Sequence, residues 1–513
     1  MQRFFNTTGP CDPLRHYMLP PEARIPGLLP FVQQELYFVL HAARQTGKTT
    51  TMRAFAERLR GLGYAAVWAT LETSQGVIDT AEAEPLWLGA LATAAEDVLP
   101  PVHQPPDRTP FLGNAVGDRL RLFLRAWSAT IQVPLVLLLD EADTVSGPAL
   151  VSLLRQLRAG FTSRGIGKFP VSVALIGMRD LRDYLTTAKD GVPVNPGSPF
   201  NVKKASLTMR NFTEIEVASL YQQHTDATGQ IFTPEAVQRA FYWTQGQPFL
   251  VNALADLCVS GSDGAPITEN SVDAAKERLI LSRTTHIDSL NERLKEARVA
   301  RIVAPVLLGS PSFMVDLGSD DLLYCLDLGL LRQGPQVEAA NPLYREVLVR
   351  SLALSKQPDL PERTWVREGK LDVPLLVDSF LLWWRQHADV LRERDTTPYR
   401  EAVPQIVFMA WVQKVANGGG RIFREYALGR GRVDVLVEFG GERHLFELKR
   451  VTDKDGFEAV KEEAQTQAVD YLERLGLQEG WILIFDERQR SWASKLWREE
   501  EVVRGRRLFM RGG

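Results

Sequence analysis

The stretch Ala42-Ala43-Arg44-Gln45-Thr46-Gly47-Lys48-Thr49-Thr50 constrains this chain more than any other, because the β-rich run LYFVLHA leads into it and a helix-forming run follows. A strand feeding a tight loop that opens a helix turns successive backbone N–H groups, and the positive end of that helix, toward one point where phosphates are gripped. Lys48 can then reach the β- and γ-phosphates of a nucleoside triphosphate, and Thr49 is placed to ligate magnesium. ATP with Mg2+ is therefore the expected ligand, held by Ala43, Arg44, Gln45, Thr46, Gly47, Lys48, Thr49 and Thr50. Ala42 stands where the pattern has its first glycine, a replacement that costs little if the position needs no positive φ.

A loop of this kind requires an acid at the end of a neighbouring strand. Pro134 to Leu139, followed by Asp140 and Glu141, supplies it. Asp140 would hold magnesium through water, and Glu141 would orient and deprotonate the water that attacks the terminal phosphate.

Around these motifs, β-rich runs alternate with amphipathic ones, the pattern of a parallel sheet covered by helices. The expected strands are Leu36 to Ala42, Ala65 to Glu72, Pro134 to Glu141 and Val171 to Gly177, several apolar almost throughout, as strands buried on both faces must be. Helices are expected from Thr49 to Leu62 and from Pro148 to Gly160, and a helical piece with a Pro-rich loop between Ser74 and Arg108. After Thr213 the strand signals stop, and helices such as Thr213 to Asp226 and Thr233 to Thr244 suggest a lid. Further helices at Leu290 to Leu308, Asp320 to Leu328 and Leu343 to Ala353, with QGPQVEAAN as a wing, suggest a winged-helix unit. This unit could contact DNA or serve only as packing.

At 513 residues the chain exceeds what one core supports. The expected division is an ATPase core over 1–210, a helical lid over 211–288, a winged-helix-like unit over 289–355, a linker and helix over 356–395, and a second α/β domain over 396–513. Hydrophobic residues at 45% and charged residues at 24% exclude a disordered or low-complexity chain. Apolar runs are too short to span a bilayer and MQRFFNTTGP lacks a signal-peptide core, so a cytoplasmic protein without a membrane partner is expected. Cys11, Cys258 and Cys325 are too scattered for a zinc site and odd in number, which points to reduced thiols. A net charge of −3 means that nucleic acid would have to meet a local basic face.

Such a face is offered near the C-terminus by Arg421, Arg424, Arg430, Arg432, Arg443, Arg450, Arg504, Arg506, Arg507 and Arg511. Beside it lies GRVDVLVEFGGERHLFELKR, in which Asp434 belongs to one strand and Glu447 and Lys449 to the next, with a Gly440-Gly441 turn between. Alternation puts Glu447 and Lys449 on one face and Leu448 on the other. Asp434 and Glu447 can then meet as hard oxygen ligands for magnesium, and Lys449 can position or activate a water for attack on phosphorus. Glu401 or Glu425 could add a third carboxylate, or be an ordinary exposed charge.

Two resemblances follow from these residues. LHAARQTGKTT, VLLLDEAD, ALIGMRD and TQGQPFLVNAL make residues 1 to 350 resemble the AAA-like P-loop ATPases of bacteria and archaea, including the group related to the STAND signalling ATPases. That resemblance implies that Arg179 lies near the γ-phosphate as a sensor and that the Gly246/Pro248 turn brings the lid over the nucleotide; read by themselves, Arg179 could equally form a surface ion pair with Asp180 or Asp183, and Gly246/Pro248 a plain helix break. It also suggests HYMLPPEAR, His16 to Arg24, as a segment beside the base, although His16 and Tyr17 could equally be packing residues. The adjacent strands of Asp434 and Glu447, the helix carrying Gln465 and Gln467, and the strand WILIF make residues 396 to 490 resemble the PD-(D/E)XK nuclease fold in the branch fused behind AAA-like ATPases. Val433 replaces the proline of that motif. The resemblance implies a glutamine near the active site, and Gln467, a turn before Tyr471 on the inner face, is preferred to Gln465.

The expected architecture is thus a P-loop parallel sheet with helical lid and winged-helix unit, followed by a small α/β restriction-endonuclease-like domain. The function read from it is an ATPase whose cycle controls a magnesium-dependent DNA nuclease. The alternative is a signalling or scaffold ATPase in which nucleotide switches homo-oligomerisation and the last domain only binds nucleic acid or protein.

Overall fold

The computed structural model describes residues 3–25, 27–164, 166–178, 203–282, 285–307, 319–334, 337–348, 365–367, 369–394, 407–412, 421–428, 431–453, 455–488 and 490–513. Two compact units divide the chain, Met1–Thr284 with Leu317–Leu343, and Thr285–Asp316 with Tyr344–Gly513.

The first unit is built on a parallel sheet of β1 (Tyr37–His41), β2 (Ala65–Thr70), β3 (Leu135–Asp140), β4 (Ser172–Gly177) and β5 (Lys203–Thr208), in the order β2-β3-β4-β1-β5. Every residue of β3 and β4 is buried, which the apolar sequences require because both faces carry helices. One face packs Met52, Phe55 and Leu59 of α1 (Lys48–Gly61) against Leu40, Leu138 and Ile176. The other packs Trp87, Phe123 and Trp127, from helices Thr80–Val98 and Arg119–Thr130, with Leu153 and Leu157 of α2 (Gly147–Thr162). β3 is not hydrogen-bonded to β1; β4 stands between them. β5 and the helix Arg119–Thr130 escape the sequence reading, β5 because KKASLT lacks an apolar run.

Four lid helices follow: α3 (Glu214–Thr228), α4 (Pro234–Thr244), α5 (Pro248–Ser260) and α6 (Glu269–Leu281). Thr213 and Glu216 form a reciprocal capping box at the start of α3. α7 (Asp320–Asp327) and the paired dipeptides Leu331–Arg332 and Glu338–Ala339 also belong to this unit.

The second unit contains helices Thr285–Leu294 and Ala297–Leu307, which divide the single helix expected from Leu290 to Leu308. Its centre is a six-stranded sheet of β6 (Arg421–Leu428), β7 (Gly431–Phe439), β8 (Glu442–Val451), β9 (Glu479–Asp486), β10 (Arg498–Val503) and β11 (Arg506–Gly512), ordered β6-β7-β8-β9-β11-β10. β6, β7 and β8 run antiparallel as a meander, and β9 lies parallel to β8. Parallel neighbours need a crossover. Here it is α9 (Phe457–Leu475), whose Ala464, Ala468, Val469 and Leu472 pack on Leu436, Leu445, Ile482 and Ile484. On the opposite face Phe380 and Trp384 of α8 (Val373–Arg394) meet Phe485, and Phe408 meets Phe446. The hairpin β10–β11 was not anticipated, since REEEVV is polar and lies at the sheet edge.

Candidate functional site

The loop after β1 takes positive φ at Gln45 and Gly47 but not at Ala42, so an alanine there carries no backbone strain. Lys48 is buried and donates from Nζ to the carbonyls of Ala42 (2.8 Å) and Ala43 (2.9 Å), closing the loop on itself. Thr46 Oγ1 also donates to Ala43 O at 2.9 Å. Burial holds the Lys48 ammonium below the ordinary lysine value, against the pull of Asp140, Glu141 and Asp143. A buried cation at the N-terminus of a 14-residue helix is a setting that favours an anion.

Although β4 separates their strands, the loop and the acids at the end of β3 meet directly. Thr49 Oγ1 donates to Asp140 Oδ2 at 2.7 Å, and Asp140 Oδ1 accepts the Glu141 N–H at 3.0 Å. This hydroxyl and carboxylate are the hard-oxygen pair that suits magnesium. Glu141 sits at φ 54°, ψ 34°, a left-handed conformation that a non-glycine residue adopts at some cost and that turns its side chain out of the strand line. Burial first, and then Asp143 and Asp140, raise the Glu141 carboxyl above the usual range, which suits a proton acceptor. Asp143 Oδ2 accepts the Met178 N–H at 2.9 Å and so ties this turn to the end of β4. Arg179, the next residue, lies outside the described residues.

The lid reaches the same loop. Gly246, at φ 71°, accepts the Phe212 N–H at its carbonyl (2.9 Å), and a Cβ on it would stand 1.9 Å from Phe212 O. The turn it makes directs Gln247 Nε2 toward the carbonyls of Arg44 (3.5 Å) and Gln45 (3.4 Å), and Pro248 opens α5. Also within this unit, Gly329 after α7 packs against the loop, where an added Cβ would lie 2.5 Å from that of Ala43. Asp327 lies 3.8 Å from His41 Nε2 at the end of β1.

Of the segment His16 to Arg24, His16 and Tyr17 pack rather than face the loop. His16 Nδ1 accepts the Asp12 N–H, and Tyr17 lies among Phe5 and His224. Arg24 is the member beside the loop: its Nη2 would be 2.8 Å from a Cβ on Gly47. It is 6% exposed, stacks on Phe212 at 4.8 Å and donates to Arg210 O at 3.3 Å, with no carboxylate within ion-pair distance among the described residues. Burial lowers its pKa to about 10. Thr50 is engaged from further upstream, its Oγ1 accepting the Cys11 N–H at 3.0 Å.

In the second unit, β7 and β8 pair from Phe439↔Glu442 to Val435↔Phe446, after which Asp434 Oδ2 accepts the Leu448 N–H at 2.8 Å in place of a ladder bond. Glu447 and Lys449 share the sheet face covered by α9. Lys449 Nζ lies 3.2 Å from Glu447 Oε1 and donates to Gln467 Oε1 at 2.7 Å. Gln467 Nε2 in turn donates to Glu463 Oε1 at 2.8 Å, a residue that sequence reasoning missed although it lies one helical turn before Gln467. Gln465 points elsewhere, to Glu501. Glu447 is 2% exposed, and among the described residues its Oε2 has no hydrogen-bond partner. Burial, and then Asp434, push its carboxyl well above the usual range. Burial works against a charged Lys449, yet Glu447 and Asp434 outweigh it and raise that ammonium. A buried carboxylate oxygen without a partner fits a cation. No group of three His, Cys, Asp or Glu among the described residues is arranged to hold one, so water and phosphate oxygens would have to complete its shell, as they commonly do for Mg2+.

Glu401 lies outside the described residues, as do Arg430 and the side chains of Glu425, Arg421, Arg424 and Arg432. Among the remaining arginines, Arg443 pairs with Glu438, Arg450 with Glu487, Arg504 with Asp470, and buried Arg511 with Asp378, so much of the expected basic face is internally neutralised. No helix among the described residues is long and apolar enough to cross a membrane.

Residues 32–185 match the family described as "AAA domain". With the strand, loop and acids described above, they form an ATP-binding, AAA-type P-loop ATPase domain. Among solved structures, the chain is similar to the Walker-type ATPase PABY2304 of Pyrococcus abyssi, at 13% identity and TM-score 0.47 over 67% of this chain and 99% of that one. It is also similar to the ORC2 protein of Aeropyrum pernix (13%, TM-score 0.38, over 65% and 92%) and to the Holliday junction branch migration motor RuvB of Thermotoga maritima (14%, 0.35, over 63% and 91%). No curated protein matches the sequence.

Proposed function

We propose that this protein is an ATPase whose nucleotide cycle controls a magnesium-dependent DNA nuclease in its C-terminal domain, 396–513. The observation that carries the nuclease half is the arrangement of Lys449 between Glu447 and Gln467, with Asp434 anchored to the next residue but one from Glu447's strand neighbour Phe446. The meander, crossover helix and parallel fourth strand also favour a PD-(D/E)XK-like fold.

At the first site, Lys48 would exchange its loop carbonyls for phosphate oxygens, Thr49 and Asp140 would hold magnesium, and Glu141 would take the proton of the attacking water. Arg179 is the sensor candidate. At the second, Asp434 and Glu447 would hold the cation and Lys449, kept cationic by its acidic neighbours, would orient a water toward phosphorus while Gln467 fixes its direction. Magnesium, when bound, would supply Lewis-acid polarisation of the phosphoryl oxygens. Within the first unit Gly329 packs against Ala43 of the P-loop and Asp327 lies by His41 at the end of β1, so α7 would sense the state of the loop.

The competing reading, a switch that self-associates and whose last domain only binds, draws support from the paired arginines. Asp434→Ala and Lys449→Ala separate the two. The nuclease reading expects both to abolish magnesium-dependent plasmid cleavage while phosphate release from ATP continues. Cleavage persisting in both variants, or absent from the wild type, would favour the switch.

A further inference from the structure

Trp68 lies on β2, outside every motif so far invoked, yet its indole Nε1 donates to Asp140 Oδ2 at 3.2 Å. The register explains how. Trp68 pairs with Leu138, and Asp140 is two residues further along β3, so all three side chains share the sheet face on which α1 lies. From α1, Thr49 reaches the same carboxylate oxygen, and Arg53, one helical turn on, lies 4.3 Å over the Trp68 ring. The four residues close a circuit: Thr49 to Asp140, Asp140 to Trp68, Trp68 to Arg53, and Arg53 back to Thr49 through the helix.

We propose that Trp68 is a positioning residue for the magnesium site, holding Asp140 in the orientation that serves the cation. The indole suits the task because it is a neutral donor with no acceptor atom. A lysine or arginine in its place would add positive charge beside the cation, and an acidic residue would compete as a ligand. Loss of a partner that orients a metal ligand typically costs about 10- to 100-fold in metal affinity. The proposal rests on the assignment of Thr49 and Asp140 to magnesium.

The test is a magnesium titration of full-length protein holding ATP, compared with ATP binding in EDTA. Trp68→Phe keeps an aromatic ring near Arg53 and removes the N–H together with part of the indole's bulk. It should weaken magnesium by about 10- to 100-fold and leave ATP affinity in EDTA unchanged. The part of the tryptophan emission that responds to magnesium in the wild type should vanish in Trp68→Phe. A midpoint within about twofold of wild type in Trp68→Phe, alongside a large shift in Asp140→Asn, would make Trp68 a packing residue only. An equal loss of ATP affinity in EDTA would mean general damage and overturn the proposal. An unmoved midpoint in both variants would remove the magnesium assignment and the role of Trp68 with it.

Discussion

Thr49 Oγ1 donates to Asp140 Oδ2 across 2.7 Å, joining two residues 91 positions apart at the point where α1 meets the end of β3. If this pair holds magnesium, Asp140→Asn should bind ATP in EDTA like the wild type. It should lose at least about 100-fold in magnesium-dependent hydrolysis, since the charge at the phosphates is no longer countered. Phosphate release and equilibrium nucleotide binding, measured on the same preparation, check this.

Glu141→Gln should lower kcat by about 100- to 10,000-fold with little change in KM, the signature of a lost proton acceptor. Because burial and two acidic neighbours raise the Glu141 carboxyl, the wild-type rate should fall on the acid side at a pH above the ordinary glutamate value of 4.5. Asp143→Asn, which removes one of those neighbours, should move that limb toward lower pH in a pH–rate profile.

Arg24 is a buried guanidinium with a depressed pKa of about 10, so the unfolded chain binds its proton more tightly. Folding carries that cost below pH 10, and it is relieved as pH rises from there toward the ordinary arginine value. An anion beside Gly47 would offset the cost. Arg24→Met should therefore leave the nucleotide-free melting temperature unchanged or raised and shrink the increase that ATP produces. Thermal melts with and without nucleotide test both parts.

Gly246 adopts a positive φ with its α-carbon against the Phe212 carbonyl. Gly246→Ala should destabilise the first unit by about 3 kcal/mol, combining backbone strain with a clash that neither backbone can yield to. A calorimetric scan gives the loss directly.

Glu447 keeps its proton to higher pH when folded than when unfolded, because burial and Asp434 oppose its charge. The folded state then binds more protons over that interval, and stability falls as pH rises above the ordinary glutamate range. Glu447→Gln should remove this decline in EDTA. Added magnesium should restore wild-type stability at high pH but not that of the variant, as melting curves across pH would report.

The P-loop and four of the five strands of the first sheet were legible because their signals are contiguous: a short, almost wholly apolar run bounded by turn residues reads as a buried strand, and the loop's chemistry lies in neighbouring backbone amides. Glu447 and Lys449 were legible for the same reason, since a period of two fixes which side chains share a face. Trp68, Asp143 and Glu463 were not, and the resemblance pointed to the segment His16 to Arg24 without singling out Arg24. Each acts through a partner on another element, and neither the strand order, with β4 inserted between β1 and β3, nor the docking of the N-terminal segment on Gly47 follows from local pattern. β5 and β10 were missed because edge strands need not be apolar. The pairing of Arg443, Arg450, Arg504 and Arg511 with Glu438, Glu487, Asp470 and Asp378 was not legible either, because counting arginines cannot reveal their acidic partners.

The proposed function requires that nucleotide at Lys48 govern phosphodiester cleavage at Lys449. It is tested most directly by following plasmid cleavage in magnesium with ATP, ADP, a non-hydrolysable ATP analogue or no nucleotide, for the wild type and Lys48→Ala. The prediction is a cleavage rate that differs severalfold between nucleotide states in the wild type and loses that dependence in Lys48→Ala. A wild-type rate that is the same in every nucleotide state would contradict it.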